Sequence, residues 1–491
     1  MDPISLLTLL FASSILVPVA DRVGRSVGAF NAPGYLTTAA LAAALLSSLM
    51  LTPGRYKPVS GSAIPVAELK VDYASQLFAL LFISLGLLVS IYSLEYMKRE
   101  EGLGAYYLLL LLMVAGMVGV ALANDLFTLY CFWELMSISA YALVAFRREH
   151  WEPVEAGLKY LVMSTLGALM ALYAVSLVYG MAGTTNFDDL RTMLSPLNTG
   201  GAWLRLLIAL FLFGWGVTTA IAPFHTWLPD AHPAAPSSIS AMLSGVLIKA
   251  GVYAIARTIF YTLPLASGVS YVLMLVGVAT STIGNLSALR QADVKRFLAY
   301  SSIANIGYIV IGLGASYRAH VLGLENAALV AMGGALLHVI NHALGKGLLF
   351  LCAGSLIHVV KSRAISKLEG LGRLMPVTGF SSAIGLLNLA GVPPLSGFWS
   401  KLLIAYGLTA MIEEPPVAIV LLLFVVNAVI AAGYYVYFTT RLFRERGVAA
   451  REVPPLMWIP ELALAGACIV LTLLLTPVLE LVYEGASSLM G

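Results

Sequence analysis

The sequence predicts an all-α polytopic membrane protein, and three observations carry that expectation. Of 491 residues, 60% are hydrophobic and 11% are charged, where a soluble domain carries roughly 25% charged residues. Mean hydropathy is +0.90. The apolar residues also fall in runs of spanning length, a spanning helix needing about 20 of them. This composition excludes a soluble enzyme, a disordered chain and a nucleic-acid binder. The net charge of +3 is too small to indicate a partner.

Fourteen apolar runs follow one another, at 4–20, 30–52, 74–96, 103–122, 125–146, 155–180, 203–224, 236–260, 268–289, 294–315, 324–357, 376–410, 416–441 and 457–484. The first begins MDPISLLTLLFASSILVPVADR, with an acid where a signal peptide needs Lys or Arg and no small-x-small cleavage site, so it reads as a span. The longest polar stretches, near 53–73 and 181–202, are too short for a soluble domain. Any redox cofactor or nucleotide would sit on another chain. Cys131, Cys352 and Cys468 lie far apart in apolar runs, without CxxC or Cys/His spacing. Neither a disulfide framework nor a metal site is expected.

Loop charge sets the topology. Odd-numbered loops carry seventeen Lys or Arg: Arg22, Arg25, Lys98, Arg99, Arg147, Arg148, Arg290, Lys295, Arg296, Lys361, Arg363, Lys367, Arg373, Arg441, Arg444, Arg446 and Arg451. Even-numbered loops carry five: Arg55, Lys57, Lys70, Arg191 and Arg318. The positive-inside rule places the odd loops in the cytoplasm of a cell (inner or plasma) membrane, with both termini outside.

Two runs are interrupted alike. FGWGVTTAIAPFHTWLPD holds Pro223 within the seventh, and LLNLAGVPPLSGFWSKLLIAY holds Pro393 and Pro394 within the twelfth. Proline removes a backbone donor and frees a carbonyl. Irregular backbone at membrane depth is tolerated only inside protein or along a wet cavity. Breaks five spans apart are equivalent in two inverted five-helix repeats, and paired broken helices point to a transport path. Two ordinary proline kinks are the alternative.

An ionisable group within a span is costly, and therefore a functional candidate. Glu134 lies about ten residues into its run, near mid-depth at about 1.5 Å per residue. Lys249 and Lys346 are also mid-span, and Lys401 follows the second break. Snorkelling lysines and a neutral structural glutamate are the alternatives. His338, His342 and Lys346 recur at i, i+4 and i+8, which forms one helix stripe. Histidine titrates near neutral pH, so the stripe reads as a proton wire, with satisfied packing histidines as the alternative. His225 beside the first break is a further candidate. His232 and His358 are expected at the interface, and His150 and His320 in loops carry no assignment. Burial disfavours a lysine's charge and a nearby carboxylate restores it. A row of Glu and Lys can therefore pass protons without a cofactor. No GxSxG, Walker A or HExxH pattern occurs, and no catalytic residue is assigned.

The stretches FWELMSISAYALV, PFHTWLPDAHPAAPSSISAMLSGVLIKAGVYAIAR, QADVKRFLAYSSIANIGYI, HVINHALGKGLLFL and GVPPLSGFWSKLLI cover most of residues 100–410. In them the chain resembles the antiporter-like membrane subunits of respiratory complex I and of Mrp-type sodium/proton antiporters, and the related chains of archaeal membrane-bound hydrogenase and sulfur-reductase complexes. Its length looks most like the D subunit of Mrp or the shorter complex I homologues. The resemblance implies fourteen helices. N-terminal helices would occupy 1–100, half-channel repeats 101–260 and 261–441, and a C-terminal helix 442–491. It implies that Glu134 is the glutamate of an ion pair and that Lys249 connects toward the centre. His338, His342 and Lys346 would form a central axis, with Lys401 at the outlet half-channel. The implied partners are other membrane subunits, including another antiporter-like subunit, together with lipid and protons, with sodium as an alternative cargo. The family also places a lysine five residues before the proline of the PFHTW segment, as partner of that glutamate. Here that position is Thr218. Glu134 would then pair with Lys249 or a neighbouring subunit, or the inner half-channel works differently. Three functions remain open: a proton-translocating subunit, a non-pumping structural subunit, and a cation/proton antiporter.

Overall fold

A computed structural model describes residues 1–57, 67–194, 201–445 and 450–491. Arg446, counted above among the loop cations, lies outside the described residues. Thirteen described helices are long and apolar enough to cross a membrane. They match all the expected runs except the twelfth, which is divided into the helices Pro376–Ala390 and Ser396–Thr409. The last run also differs from expectation: span 14 is Pro455–Leu473, and Leu475–Met490 is a separate helix. A two-stranded antiparallel hairpin, β1 (Gly54–Tyr56) with β2 (Leu69–Val71), lies between spans 2 and 3.

The chain forms two compact units. One comprises residues 1–219, 247–266 and 487–491, and the other 220–246 and 267–486. In the first unit, span 4 (Leu103–Leu122) packs closely on span 5 (Leu126–Val144), because Gly116 leaves room for the backbone of Met136. Span 6 is Trp151–Ala182 and span 7 is Ala202–Thr219. Gly251 on span 8 (Ser237–Thr262) gives a similarly close approach to span 7, since a Cβ there would collide with Thr219.

The same construction recurs once in each unit. At the start of span 5, Leu126 N–H donates to the Thr185 carbonyl at 2.9 Å, and Phe187 N–H to the Asn124 carbonyl at 3.0 Å. At the start of span 10 (Val294–Val321), Val294 N–H donates to the Arg363 carbonyl at 2.9 Å, and Ile365 N–H to the Ala292 carbonyl at 2.8 Å. In both places an aspartate caps the span that follows. Asp125 accepts Thr128 N–H at 2.7 Å and Asp293 accepts Lys295 N–H at 2.8 Å. These bonds satisfy amides that a helix start leaves unpaired. A short helix then follows the bridge, Phe187–Leu194 in one case and Ile365–Leu368 in the other. Five spans separate the two constructions, which is the period expected from the two breaks.

Candidate functional site

The second unit holds four of the predicted residues in one polar system. His338, His342 and Lys346 lie on span 11 (Glu325–Val360) and are all buried. The two imidazoles stack with centroids 6.3 Å apart. Lys346 Nζ donates to the Leu298 carbonyl at 3.0 Å and to Ser301 Oγ, both on span 10. It also faces the Tyr435 ring at 5.6 Å. Asn305, one helical turn after Ser301, donates to the Ser301 carbonyl at 2.7 Å and to Tyr435 Oη at 3.1 Å. Its Oδ1 is 3.1 Å from His338 Nε2, and His338 Nδ1 is 2.9 Å from Ser400 Oγ. Polar contacts thus run from Lys346 to Ser400, the residue before Lys401.

Lys401 sits on the break itself. Its Nζ donates to the carbonyls of Leu389 at 2.8 Å and Ala390 at 3.2 Å. In a continuous helix those carbonyls would accept from residues 393 and 394. Both are proline and have no N–H to give. Lys401 therefore replaces the two donors that the sequence removes, and its charge lies at the negative end of the Pro376–Ala390 helix. Side-chain amides hold the rest of the break. Asn388 Oδ1 accepts Gly397 N–H at 2.9 Å. Asn341 donates to the Ser396 carbonyl at 2.9 Å and accepts from Ser396 Oγ at 2.5 Å. Gly391, at φ +81°, turns the chain out of the first half-helix, a conformation that glycine adopts without strain.

The first unit is built differently. Trp133 on span 5 packs on Trp215 of span 7 with ring centroids 4.5 Å apart. Glu134 follows Trp133 directly, and Thr218 lies three residues after Trp215. Glu134 is bonded to Tyr130, one turn earlier. Among the described residues, no cation lies at ion-pair distance from Glu134. Five buried polar atoms on spans 5, 6 and 7 have no hydrogen-bond partner among the described residues: Trp133 Nε1, Glu134 Oε1, Ser137 Oγ, Ser164 Oγ and Trp215 Nε1. Thr218 is buried and Lys249 fully so. Lys249 lies on span 8 between two π-helical stretches, Leu243–Leu247 and Ala256–Thr262. Tyr253 and Arg257 continue its helix face at i+4 and i+8. Tyr253 Oη donates to the Ala121 carbonyl at 2.6 Å and accepts from Arg257 Nε at 2.8 Å, and Arg257 pairs with Asp72.

Beside the hairpin, Asp188 receives bonds from Lys70 at 3.0 Å, Asn124 at 3.1 Å and Tyr261. Burial alone would raise this carboxyl. The hydrogen bonds outweigh burial and hold it at about 2, below its ordinary 3.8.

Two placements differ from or extend the sequence reading. His232, expected at the interface, is fully buried and stacks on Phe350 at 4.3 Å. His225 is half-buried in the first break. Sequence reasoning missed Ser301, Asn305, Asn341, Asn388 and Ser400. Their signal was present, since all but Asn388 lie in or beside the quoted family stretches.

A multi-span helical chain with two broken helices and buried lysines defines an antiporter-like membrane subunit. The chain belongs to the NADH:quinone oxidoreductase/Mrp antiporter transmembrane family, whose model matches residues 123–431. A second model, the N-terminus of chain 5 of NADH-ubiquinone oxidoreductase (complex I), matches residues 60–107. The chain is 35% identical to NADH-quinone oxidoreductase subunit N of Desulforudis audaxviator over 391 residues, which is 76% of this chain and 74% of that one. It resembles a chain of the archaeal membrane-bound sulfane sulfur reductase complex, with a TM-score of 0.86 and 30% identity over 99% of this chain and 97% of that one. A chain of the Mrp complex from Dietzia sp. shares the fold at a TM-score of 0.84, 22% identical over 99% of this chain and 97% of that one.

Proposed function

We propose that this chain moves protons through a mid-membrane Glu/Lys/His axis, as one subunit of a multisubunit membrane complex. The observation that carries the reading is the setting of Lys346 and Lys401. Both ammonium groups are buried and held by carbonyls, a hydroxyl and ring faces. A lysine bound only by neutral groups keeps no fixed counter-charge, so it can load and release a proton as neighbouring charge changes. His338, between Asn305 and Ser400, extends the polar contacts of Lys346 to the residue before Lys401.

In the first unit, water replaces the family's lysine. Buried polar atoms are normally satisfied, and the partner that suits five orphaned atoms on three adjacent helices is water. Glu134 would then exchange protons with a hydrated inner half-channel, and Lys249 would pass them on. The partners are other membrane subunits, another antiporter-like subunit among them. The membrane is the cell membrane, with both termini outside. Sodium is the alternative cargo.

One observation favours a second reading. Threonine at position 218 cannot carry charge, so a silenced structural subunit would also retain this fold. Reconstituting the intact complex in vesicles separates the two. Proton uptake that depends on Glu134 supports translocation. Uptake that is unchanged in Glu134→Gln, yet becomes Glu134-dependent once Thr218→Lys is introduced, would identify a silenced relative.

A further inference from the structure

Glu461 is the one buried carboxyl among the described residues of the unit that holds Lys346 and Lys401. It lies on span 14 and is held from two sides. Ser355 Oγ, on the same helix as His338, His342 and Lys346, donates to its Oε1 at 2.5 Å. Its Oε2 is 2.9 Å from Thr378 Oγ1, in the first turn of the divided span 12. The same hydroxyl is 2.8 Å from Glu452 Oε1. Glu452 is half-buried and lies before span 14, outside the membrane-spanning segments. Its Oε2 accepts the N–H groups of Val377 at 2.8 Å and Thr378 at 3.3 Å, at the start of that helix.

A threonine hydroxyl has a single proton to donate. Thr378 therefore donates to one carboxyl, and the second contact is a hydrogen bond only if a carboxyl brings the proton. Glu452 is already occupied by backbone donors, which favour its acceptor role. The extra proton accordingly belongs to Glu461.

We propose that Glu452, Thr378 and Glu461 form a proton relay that serves span 11 at Ser355, separate from the Glu134–Lys249 half. Once Glu461 has passed its proton on toward Ser355 and Glu452 has taken one up from the aqueous side, Thr378 Oγ1 accepts the proton of Glu452 and releases its own to Glu461 Oε2. One O–H bond forms and one breaks at each transfer. The threonine ends unchanged, one proton has moved inward, and rotation of the hydroxyl resets the relay. The relay gives Lys346 and Lys401, which no carboxylate among the described residues holds, a buried acidic group on a helix packed against span 11.

This inference rests on the reading of the chain as a proton carrier, and the test separates the two. The intact complex is purified with its native membrane partners and placed in vesicles. Proton uptake is then compared among wild type, Lys346→Ala, Glu461→Gln, Thr378→Val and Thr378→Ser. Valine keeps the shape without the hydroxyl, and serine keeps the hydroxyl. The relay predicts that Thr378→Val and Glu461→Gln lower uptake by about a hundredfold, the size of a lost proton-transfer group, and that Thr378→Ser stays near wild type. It also predicts an infrared band from a protonated carboxyl that shifts in deuterium oxide and disappears in Glu461→Gln. Should Glu461→Gln fail to assemble, the valine/serine pair decides. Uptake lost in Lys346→Ala but equal in valine and serine variants would overturn the relay and leave the wider reading standing. Uptake unchanged in Lys346→Ala would overturn the reading on which the relay rests.

Discussion

At the end of the Pro376–Ala390 helix, Lys401 occupies the two carbonyls that Pro393 and Pro394 cannot serve. At the end of span 7, Thr218 stands where the resemblance calls for a lysine, and the polar atoms around Glu134 lack protein partners. Both breaks arise from proline within an apolar run, and both expose backbone that lipid would not tolerate. The second break is held by a lysine, two asparagines and Ser396. At the first, Ala222 N–H donates to Thr280 Oγ1 at 3.0 Å, and the atoms without a partner among the described residues lie instead around Glu134. The physical lesson is that a broken helix needs partners for its freed backbone groups but does not dictate their source. A lysine at the break fixes a charge in place, whereas a hydroxyl such as Thr280 satisfies the backbone without one.

The largest expected effect comes from the better-satisfied half. Lys401→Ala removes the ammonium and strands two buried carbonyls, each at a cost of about 1–3 kcal/mol. Proton uptake should collapse, and the complex should unfold at a lower temperature in a thermal melt. Unchanged uptake with a lower melting point would reduce Lys401 to a structural cap. Glu134→Gln and Lys249→Ala should each abolish or strongly reduce uptake while the complex still assembles, as checked by gel filtration. If both mutants pump normally, the first unit carries no protons.

Asn388→Ala probes the amides of the second break. It leaves the buried Gly397 N–H without its acceptor, a loss of about 1–3 kcal/mol in stability. The melt should show this loss, along with reduced uptake as Lys401 moves. In the first unit Ser164 Oγ has no hydrogen-bond partner among the described residues, so Ser164→Ala should cost well under about 1 kcal/mol. A large loss there would show that Ser164 is held by protein after all.

The smallest effect lies at the hairpin. Asp188 is held at about 2, below its ordinary 3.8. Its contribution to stability is therefore fully present above the unfolded value and is lost as pH falls through the folded one. Hydrogen exchange at Leu69–Val71 should stay slow at neutral pH and quicken between about pH 4 and 2. Asp188→Asn should remove most of that pH dependence. The same profile in the mutant would assign the transition to other carboxyls.

Much of this was legible in the residues. Pro223 and the Pro393–Pro394 pair mark the breaks because proline has no N–H, and the helical i+4 rule even names Leu389 and Ala390 as the carbonyls left open. Lys249, Lys346 and Lys401 stand out because charge is costly at depth. Glu461 satisfies the same criterion within the 457–484 run, though it lies near the run's start. Ser301, Asn305 and Asn341 were not legible by chemistry, since serine and asparagine are ordinary in spans and their partners lie on other helices. The burial of His232 is not legible in the sequence, because its contact with Phe350 is tertiary. The division of the 457–484 run at Leu474 has no marker as strong as the prolines, although Pro477 follows it.

The most direct test of a first unit that conducts without the missing lysine is proton uptake by vesicles containing the intact complex, in wild type and Glu134→Gln. Loss of uptake in Glu134→Gln, with normal assembly and an intact Thr218, is the predicted result. Equal uptake in the two would contradict it and leave the first unit a scaffold.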